Sequence, residues 1–199
     1  DHQLAWAAMA GIDRVILTVH HMADQLIEFA AARDGRPLPI DVVHEETPLG
    51  TGGAVKNAIK EAAVSEDVVV MNGDTYYNFA LRPVLDSHGA NPCPVTMAVA
   101  QVDDCARYGT VRTAGKRVTG FDQATGRAEP GLVNCGLYVF DCLAMEDFPQ
   151  GAFSMEHDFF PAMAERSLIA AFAVAERPAF IDIGTPESYA AINENLIGT

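Results

Sequence analysis

The chain has 199 residues, with 13 basic against 27 acidic side chains and a formal net charge of −14. That length suits one α/β domain that buries a core without disulfide or metal staples, and 49% hydrophobic with 20% charged residues excludes a disordered or collagen-like chain. The acidic balance, with no Lys/Arg cluster, excludes a nucleic-acid binder, and no apolar run reaches membrane-spanning length. Four cysteines (Cys93, Cys105, Cys135, Cys142) lack C-x-x-C spacing, which argues against a zinc site and predicts a reducing, cytoplasmic setting.

The chain opens Asp1-His2-Gln3-Leu4-Ala5-Trp6 without a methionine. Leu4, Ala7, Ala8 and Met9 already follow helical spacing, and Gly11 is placed to stop the helix, over about 2–10. The expectation is a fragment that begins inside a helix. Trp6 is expected in the core or an interface. Arg14–His20 is a mostly apolar strand of the kind covered on both faces. Met22, Leu26, Ile27, Phe29 and Ala30 restore helical spacing over 22–32. A turn at Gly35-Arg36-Pro37 precedes a strand at 40–44, and a glycine-rich loop at 47–53 opens a helix running to Ala63. Val68–Met71 is a short apolar strand ending in Asn72-Gly73-Asp74.

The second half changes character. Val95–Val102 and Gly109–Arg112 read as strands, Ala114-Gly115-Lys116 as a turn, and 117–122 as the returning arm of a hairpin. Leu132–Phe140 is a strand, 156–166 a helix, 168–175 a strand, and Phe180–Ile183 a short strand before Gly184. Pro186 sits at a helix start, with Glu187 in its first turn. Strand–helix alternation predicts a Rossmann-like, three-layer α/β fold with a mixed, mainly parallel sheet and helices on both faces. It reads as one domain over 1–199, with a nucleotide-binding half (1–92) and a more antiparallel half (93–199). Ligands in such sheets sit beyond the carboxyl ends of the strands.

Three stretches carry candidate chemistry. Glu45-Glu46-Thr47-Pro48-Leu49-Gly50-Thr51-Gly52-Gly53 combines a stiff entry with three glycines that permit close backbone approach, followed by a helix offering N–H groups. It reads either as a ligand loop or as a tight strand-to-helix turn. Asp74, directly after an apolar strand, is placed to hold Mg²⁺ and phosphates, or to close a solvated turn. Asp182, between Ile181 and Ile183, faces opposite to both on a strand, so it serves either a site or the solvent face of an edge. Two acids from distant segments suit one Mg²⁺, which takes few protein carboxylates and leaves positions for phosphate and water. Ser154, in Phe153-Ser154-Met155-Glu156-His157-Asp158, suits a helix cap and a substrate contact. His20, His21, His44 and His88 show no metal-ligand spacing and are read as structural or surface residues.

In order, the motifs P-L-G-T-G-G, N-G-D-T, R-Y-G-T-V, N-C-G-L-Y-V-F, F-S-M-E-H-D and F-I-D-I-G-T-P resemble those of the sugar-1-phosphate nucleotidyltransferases. The likeness is greatest to guanylyltransferases acting on D-glycero-D-manno-heptose 1-phosphate, and it covers nearly the whole chain. The resemblance implies roles for matching positions. Asp74 and Asp182 match the catalytic Mg²⁺ ligands. Glu45, Gly50, Thr51, Gly52 and Gly73 match the nucleotide-binding segments, with Glu45 and Gly50 reading the base. Tyr108, Gly109, Asn134 and Glu156 match segments lining the sugar pocket. Many relatives carry Lys after the sugar-binding acid, where this chain has His157. The family also opens with a strand running into G-G-x-G-T-R and a later P-K pair. That front end, about 40 residues long, has no counterpart here, so the chain as it stands is expected to lack an inner strand, the phosphate loop and catalytic turnover. Lys56 and Arg107 are the basic residues nearest the matched motifs, and neither is placed like the family's phosphate-binding cations.

The implied reaction is attack of a sugar 1-phosphate oxygen on the α-phosphorus of GTP, with pyrophosphate leaving. Guanine presents two adjacent donors, N1–H and N2–H₂, and a carboxylate accepts both. Glu45 therefore favours guanine, with Glu46 a competing candidate in the same loop. Two other classes fit part of the pattern: a non-catalytic sugar-nucleotide-binding domain, and a GT-A-type glycosyltransferase. The latter wants a D-x-D pair, and Asp74-Thr75-Tyr76 lacks its second acid.

Overall fold

The computed structural model describes residues 2–33, 37–185, 188, 190 and 192. The expected turn residues Gly35 and Arg36 and the expected helix start at Pro186 and Glu187 lie outside them.

Helix α1 (His2–Met9) buries Leu4 and Ala7 and ends at Gly11, whose φ is +90°. Strand β1 (Val15–Val19), helix α2 (Ala23–Ala31) and strand β2 (Ile40–His44) follow. β1 and β2 pair in parallel from Val15 opposite Ile40 to Val19 opposite His44. Helix α3 (Gly50–Glu61) begins within the glycine-rich loop, and β3 (Val68–Met71) leads into the Asn72–Asp74 segment. Residues 75–92, to which the sequence pattern assigns no element, form β4 (Thr75–Tyr77) and α4 (Arg82–Gly89). A proline in the first turn of α4 marks that helix.

The second half supplies β5 (Val95–Val102), the hairpin β6 (Thr110–Ala114) and β7 (Arg117–Asp122), and β8 (Gly131–Phe140). A 3₁₀ turn at Cys142–Met145 and a π-helical turn at Met155–Phe159 precede α5 (Phe160–Glu165), β9 (Ile169–Val174) and β10 (Phe180–Asp182). Gly115, at φ +60°, makes the hairpin turn where expected.

Six strands form one sheet in the order β3-β8-β5-β9-β7-β6, while β1-β2 and β10-β4 form two-stranded sheets. The sheet is mixed, but the expectation that it is mainly parallel is corrected. Among the described residues only β1–β2 and β5–β9 pair in parallel. β8 runs antiparallel to both of its main neighbours, β3 and β5. An apolar run records burial on both faces and carries no information on strand direction. Direction is fixed by the connection, and β8 returns into the sheet after the β6–β7 hairpin.

The layers follow from the period of two along the central strands. Tyr138 and Phe140 of β8, with Val95, Met97 and Val99 of β5, pack on Phe159, Phe160 and Met163 and against Val55 and Ile59 of α3. Cys135, Leu137 and Val139, with Ala98 and Ala100, pack on the other face with Tyr77, Phe79, Leu81 and Val84 and against Trp6. Helices α3 and α5 therefore cover one face, and α1 and α4 the other. Trp6 stacks on Tyr77 with centroids 5.3 Å apart and donates its indole N–H to the Phe79 carbonyl at 2.6 Å. Burial pushes the Cys135 thiol up to about 12, so that cysteine is an inert part of the core.

The β5–β8 register shifts between Met97 and Val99, whose partners are Tyr138 and Asn134. The extra residues of β8 bulge around Gly136, which adopts φ +70°. At the bulge the Gly136 carbonyl, next in register after the Met71–Leu137 pair, accepts from the Asn72 N–H at 3.0 Å and from the Tyr77 hydroxyl at 2.7 Å. A Cβ at this position would lie 2.6 Å from the Asn72 side chain. Gly136→Ala is expected to lower stability by about 2–4 kcal/mol through left-handed backbone strain and overpacking, read as a fall in the urea unfolding midpoint.

Candidate functional site

Asp74 and Asp182 are 108 positions apart and are brought together by backbone pairing. β4 and β10 run antiparallel with Asp182 opposite Thr75, and the Ile183 N–H donates to the Asp74 carbonyl at 2.8 Å. A Cβ built on Gly184 would lie 3.0 Å from Asp182 Oδ1 and 3.3 Å from Asp74 Oδ2, so both carboxylates converge on one spot. Asp182 Oδ1 also accepts from the Gly184 N–H at 2.8 Å, which fixes its rotamer. Among the described residues, and its two chain neighbours aside, nothing lies within 4 Å of a Cβ built on Gly73, so the space beside the Asp74 loop is open.

The same loop is held from behind by α1. Gln3 Nε2 donates to the Asn72 carbonyl at 3.1 Å and to the Thr75 carbonyl at 2.7 Å, and His2 stacks on Tyr76. Among the described residues no group of three or more His, Cys, Asp or Glu side chains is arranged to hold a metal. Two converging carboxylates fit Mg²⁺, which is held through one or two protein carboxylates plus substrate phosphates.

The glycine-rich loop is closed from both ends. Glu45 is buried, and its Oε2 accepts from the Leu49 N–H at 3.0 Å. His20 Nδ1 donates to the Glu45 carbonyl at 2.8 Å, a structural role as expected. Glu46 is exposed and lines an open polar groove with Asp41, His44, Asn57 and Glu61. The first turn of α3 was expected to offer its N–H groups to a ligand. Two of them are taken: the Phe153 carbonyl accepts from Gly52 N at 3.0 Å and Gly53 N at 3.2 Å. The Phe153 N–H in turn donates to the Leu49 carbonyl. Gly52 is buried because it admits the Phe153 ring, which stacks on Phe148. Its lack of a Cβ serves packing within the chain. The Lys56 ammonium donates to the carbonyls of Met145, Glu146 and Phe148, so that cation is spent on the loop before Phe153.

The residues matched to a sugar pocket are held by separate contacts. Asn134 Nδ2 donates to the Tyr138 hydroxyl at 2.6 Å, and its Oδ1 accepts from the Gly136 N–H at 2.9 Å. Burial pushes the Tyr138 phenol well above its ordinary range; the Asn134 bond opposes this and the nearby Glu156 charge adds to it. Asn134 contacts Tyr138 directly, whereas Glu156 acts on it through its charge. Ser154 caps the π-helical turn by accepting from Glu156 N and His157 N, as the cap reading expected. Its hydroxyl donates to Glu156 Oε2 at 3.0 Å. Tyr108 packs edge-on against Phe180, on the strand that ends in Asp182. A Cβ on Gly109 would lie 2.8 Å from the Asp122 carbonyl, so this glycine lets β6 close on β7.

The nucleotidyl transferase family model matches residues 1–198. The chain belongs to the nucleotidyl transferase family. Among its relatives, the D-glycero-alpha-D-manno-heptose 1-phosphate guanylyltransferase of Aneurinibacillus thermoaerophilus is 31% identical over 98% of this chain and 84% of the relative. The mannose-1-phosphate guanylyltransferase of Mycobacterium tuberculosis is 33% identical over 98% of this chain, which spans 55% of that longer protein. The crystal structure of HddC from Yersinia pseudotuberculosis complexed with GMP-PN superposes with a TM-score of 0.82 at 31% identity, covering 98% of this chain and 84% of the other. Membership in this nucleotidyl transferase family accounts for the layered α/β fold.

Three residues at the site escaped the sequence reading. Phe153 was readable as the residue before the Ser154 cap, but nothing in its type marks its carbonyl as an acceptor. Gln3 and Tyr138 carry no local signal at all. The Phe153 clasp yields an expected outcome: Gly52→Ala places a Cβ into the Phe153 ring and costs about 1–3 kcal/mol of overpacking. Thermal unfolding of Gly52→Ala, Phe153→Leu and the double variant checks this, with the double variant more stable than the sum of the single losses.

Proposed function

We propose that this chain carries the nucleotide- and sugar-binding parts of a guanylyltransferase that transfers GMP from GTP to a sugar 1-phosphate, with D-glycero-D-manno-heptose 1-phosphate the favoured acceptor. The observation that carries the reading is the convergence of Asp74 and Asp182 beside Gly184, in a chain whose relatives include guanylyltransferases. The product is a nucleotide sugar of the kind used for lipopolysaccharide or other surface polysaccharides. A GTP-dependent reaction belongs in the cytoplasm, and no described helix is long and apolar enough to cross a membrane.

An acceptor phosphate oxygen forms a new bond to the α-phosphorus of GTP as the bond to the pyrophosphate oxygen breaks. The attacking phosphate is already ionised, so no general base is required, and catalysis is positioning plus charge neutralisation. Asp74 and Asp182 would hold Mg²⁺, which supplies neutralisation of phosphate charge when bound. Without a cation, two carboxylates facing polyphosphate would repel it.

The chain's own residues do the rest. Glu45, tethered through Oε2 and with no protein hydrogen bond on Oε1 among the described residues, would accept from guanine; its fixed side chain supports it over the exposed Glu46. Gly50, Thr51 and Gly52 shape the loop beneath the nucleotide, and Gly73 keeps the approach to Asp74 open. Tyr108, Gly109, Asn134 and Glu156 line the sugar side. A D-x-D glycosyltransferase pair is not needed, because the second acid comes from β10.

The test is pyrophosphate release by the native enzyme with GTP, Mg²⁺ and heptose or mannose 1-phosphate. Release that requires both substrates supports the reading; binding of the nucleotide sugar without release refutes transfer. Within a competent enzyme, Asp74→Asn and Asp182→Asn each raise the Mg²⁺ concentration needed for half-maximal rate and lower kcat by about two to three decades. Full activity of both at limiting Mg²⁺ refutes the metal assignment. Glu45→Gln lowers the preference for GTP over UTP or dTTP by about 1.5–3 kcal/mol, the worth of a charge-assisted hydrogen bond. Competition assays with mixed nucleotides read that shift.

A further inference from the structure

Thr51 lies in the loop matched to the nucleotide, yet its hydroxyl faces the other substrate group. Oγ1 donates to Glu156 Oε2 at 2.8 Å across 105 positions of sequence, and accepts from the Met155 N–H at 2.9 Å. Glu156 Oε2 also receives the Ser154 hydroxyl at 3.0 Å. One carboxylate oxygen is thus gripped by two hydroxyls from two different segments, while Oε1 takes no protein hydrogen bond among the described residues. A glutamate in a first helical turn swings freely when exposed, and two donors on a single oxygen remove that freedom.

We propose that Thr51 is a positioning residue for the sugar 1-phosphate. It locks the Glu156 carboxylate so that Oε1 alone is presented to an acceptor hydroxyl of the sugar, and it ties that presentation to the closed nucleotide loop. The inference rests on the guanylyltransferase reading and refines its sugar side. The two partners have distinct roles. Glu156 touches substrate, and Thr51 acts through Glu156. Because Thr51 precedes Gly52 and Gly53, whose N–H groups bind the Phe153 carbonyl, any opening of the glycine loop also releases Glu156. The coupling runs through two consecutive features of one short segment.

The experiment compares Thr51→Val, which keeps shape and loses the hydroxyl, with Thr51→Ser, which keeps the hydroxyl. Substrate kinetics are measured in the native enzyme with GTP and sugar 1-phosphate varied separately. Thr51→Val is expected to raise the KM for sugar 1-phosphate about tenfold, the loss of one charge-assisted bond of ordinary strength, a larger change than in the KM for GTP. Thr51→Ser is expected to restore both. In the Glu156→Gln background, Thr51→Val should add little, because the two act through one bond. The inference is overturned if Thr51→Val raises the KM for GTP instead, if Thr51→Ser fails as badly as Thr51→Val, or if the Thr51 and Glu156 effects are additive. Failure of the underlying reading looks different: the wild-type enzyme then releases no pyrophosphate with any sugar 1-phosphate, and both readings fall together.

Discussion

The carbonyl oxygen of Gly136 holds the site together. It lies at the bulge that interrupts the pairing of β8 with β5, and it takes two hydrogen bonds, from Asn72 N and the Tyr77 hydroxyl. Those two residues bracket Asp74. With both ends of the segment fixed, β4 lies in register to pair with β10, and that pairing delivers Asp182. The acids are therefore positioned by main-chain geometry, and their side chains are left to face outward. The same bulge orders Asn134, since the Gly136 N–H donates to its side chain. One irregularity in a central strand thus reaches both groups of candidate residues.

Much of this was legible in the sequence, and the limits were physical. The apolar strands, the β6–β7 hairpin and the helical stretch after Ser154 follow from periodicity and turn residues, and the structure places them within a few residues. Strand direction did not follow, because Val68–Met71 would look the same paired either way. Asp74 and Asp182 were legible as acids at strand ends. The contacts that hold them were not: Gly136 O, Asn72 O and Thr75 O are backbone acceptors that every residue type possesses. Gln3 could not be tied to Asn72 from sequence, because 69 positions separate them and glutamine marks no particular partner. The glycines were read as room for a ligand, whereas at Gly52 the room is filled by Phe153.

A net charge of −14 sits oddly with phosphate-rich substrates until the cations are followed. Lys56 is committed to three carbonyls, Arg14 pairs with Asp41 and Arg112 with Asp122, and Arg117 donates to the Ser167 carbonyl. These side chains stabilise loops and strand ends, not a phosphate. Asp74 and Asp182 converge as carboxylates, and a bound divalent cation there would invert the local charge seen by a phosphate.

The turn at Met155–Phe159 winds as a π-helix, one residue wider than an α-turn. Its cap shows the extra width: the Ser154 N–H is met by Asp158 Oδ2, four residues on, where an α-helical capping box would use the third residue. The wider turn lets Glu156 look outward to Thr51 while Phe159 and Phe160 both enter the core, a combination that a 3.6-residue period resists. Removing a single residue would rewind it to an α-turn of nearly the same total rotation, so α5 would keep its facing. The aromatic pair would then stay on the sheet while Glu156 left Thr51. The extra residue is therefore what carries Glu156 to Thr51, and the core beneath is indifferent to it.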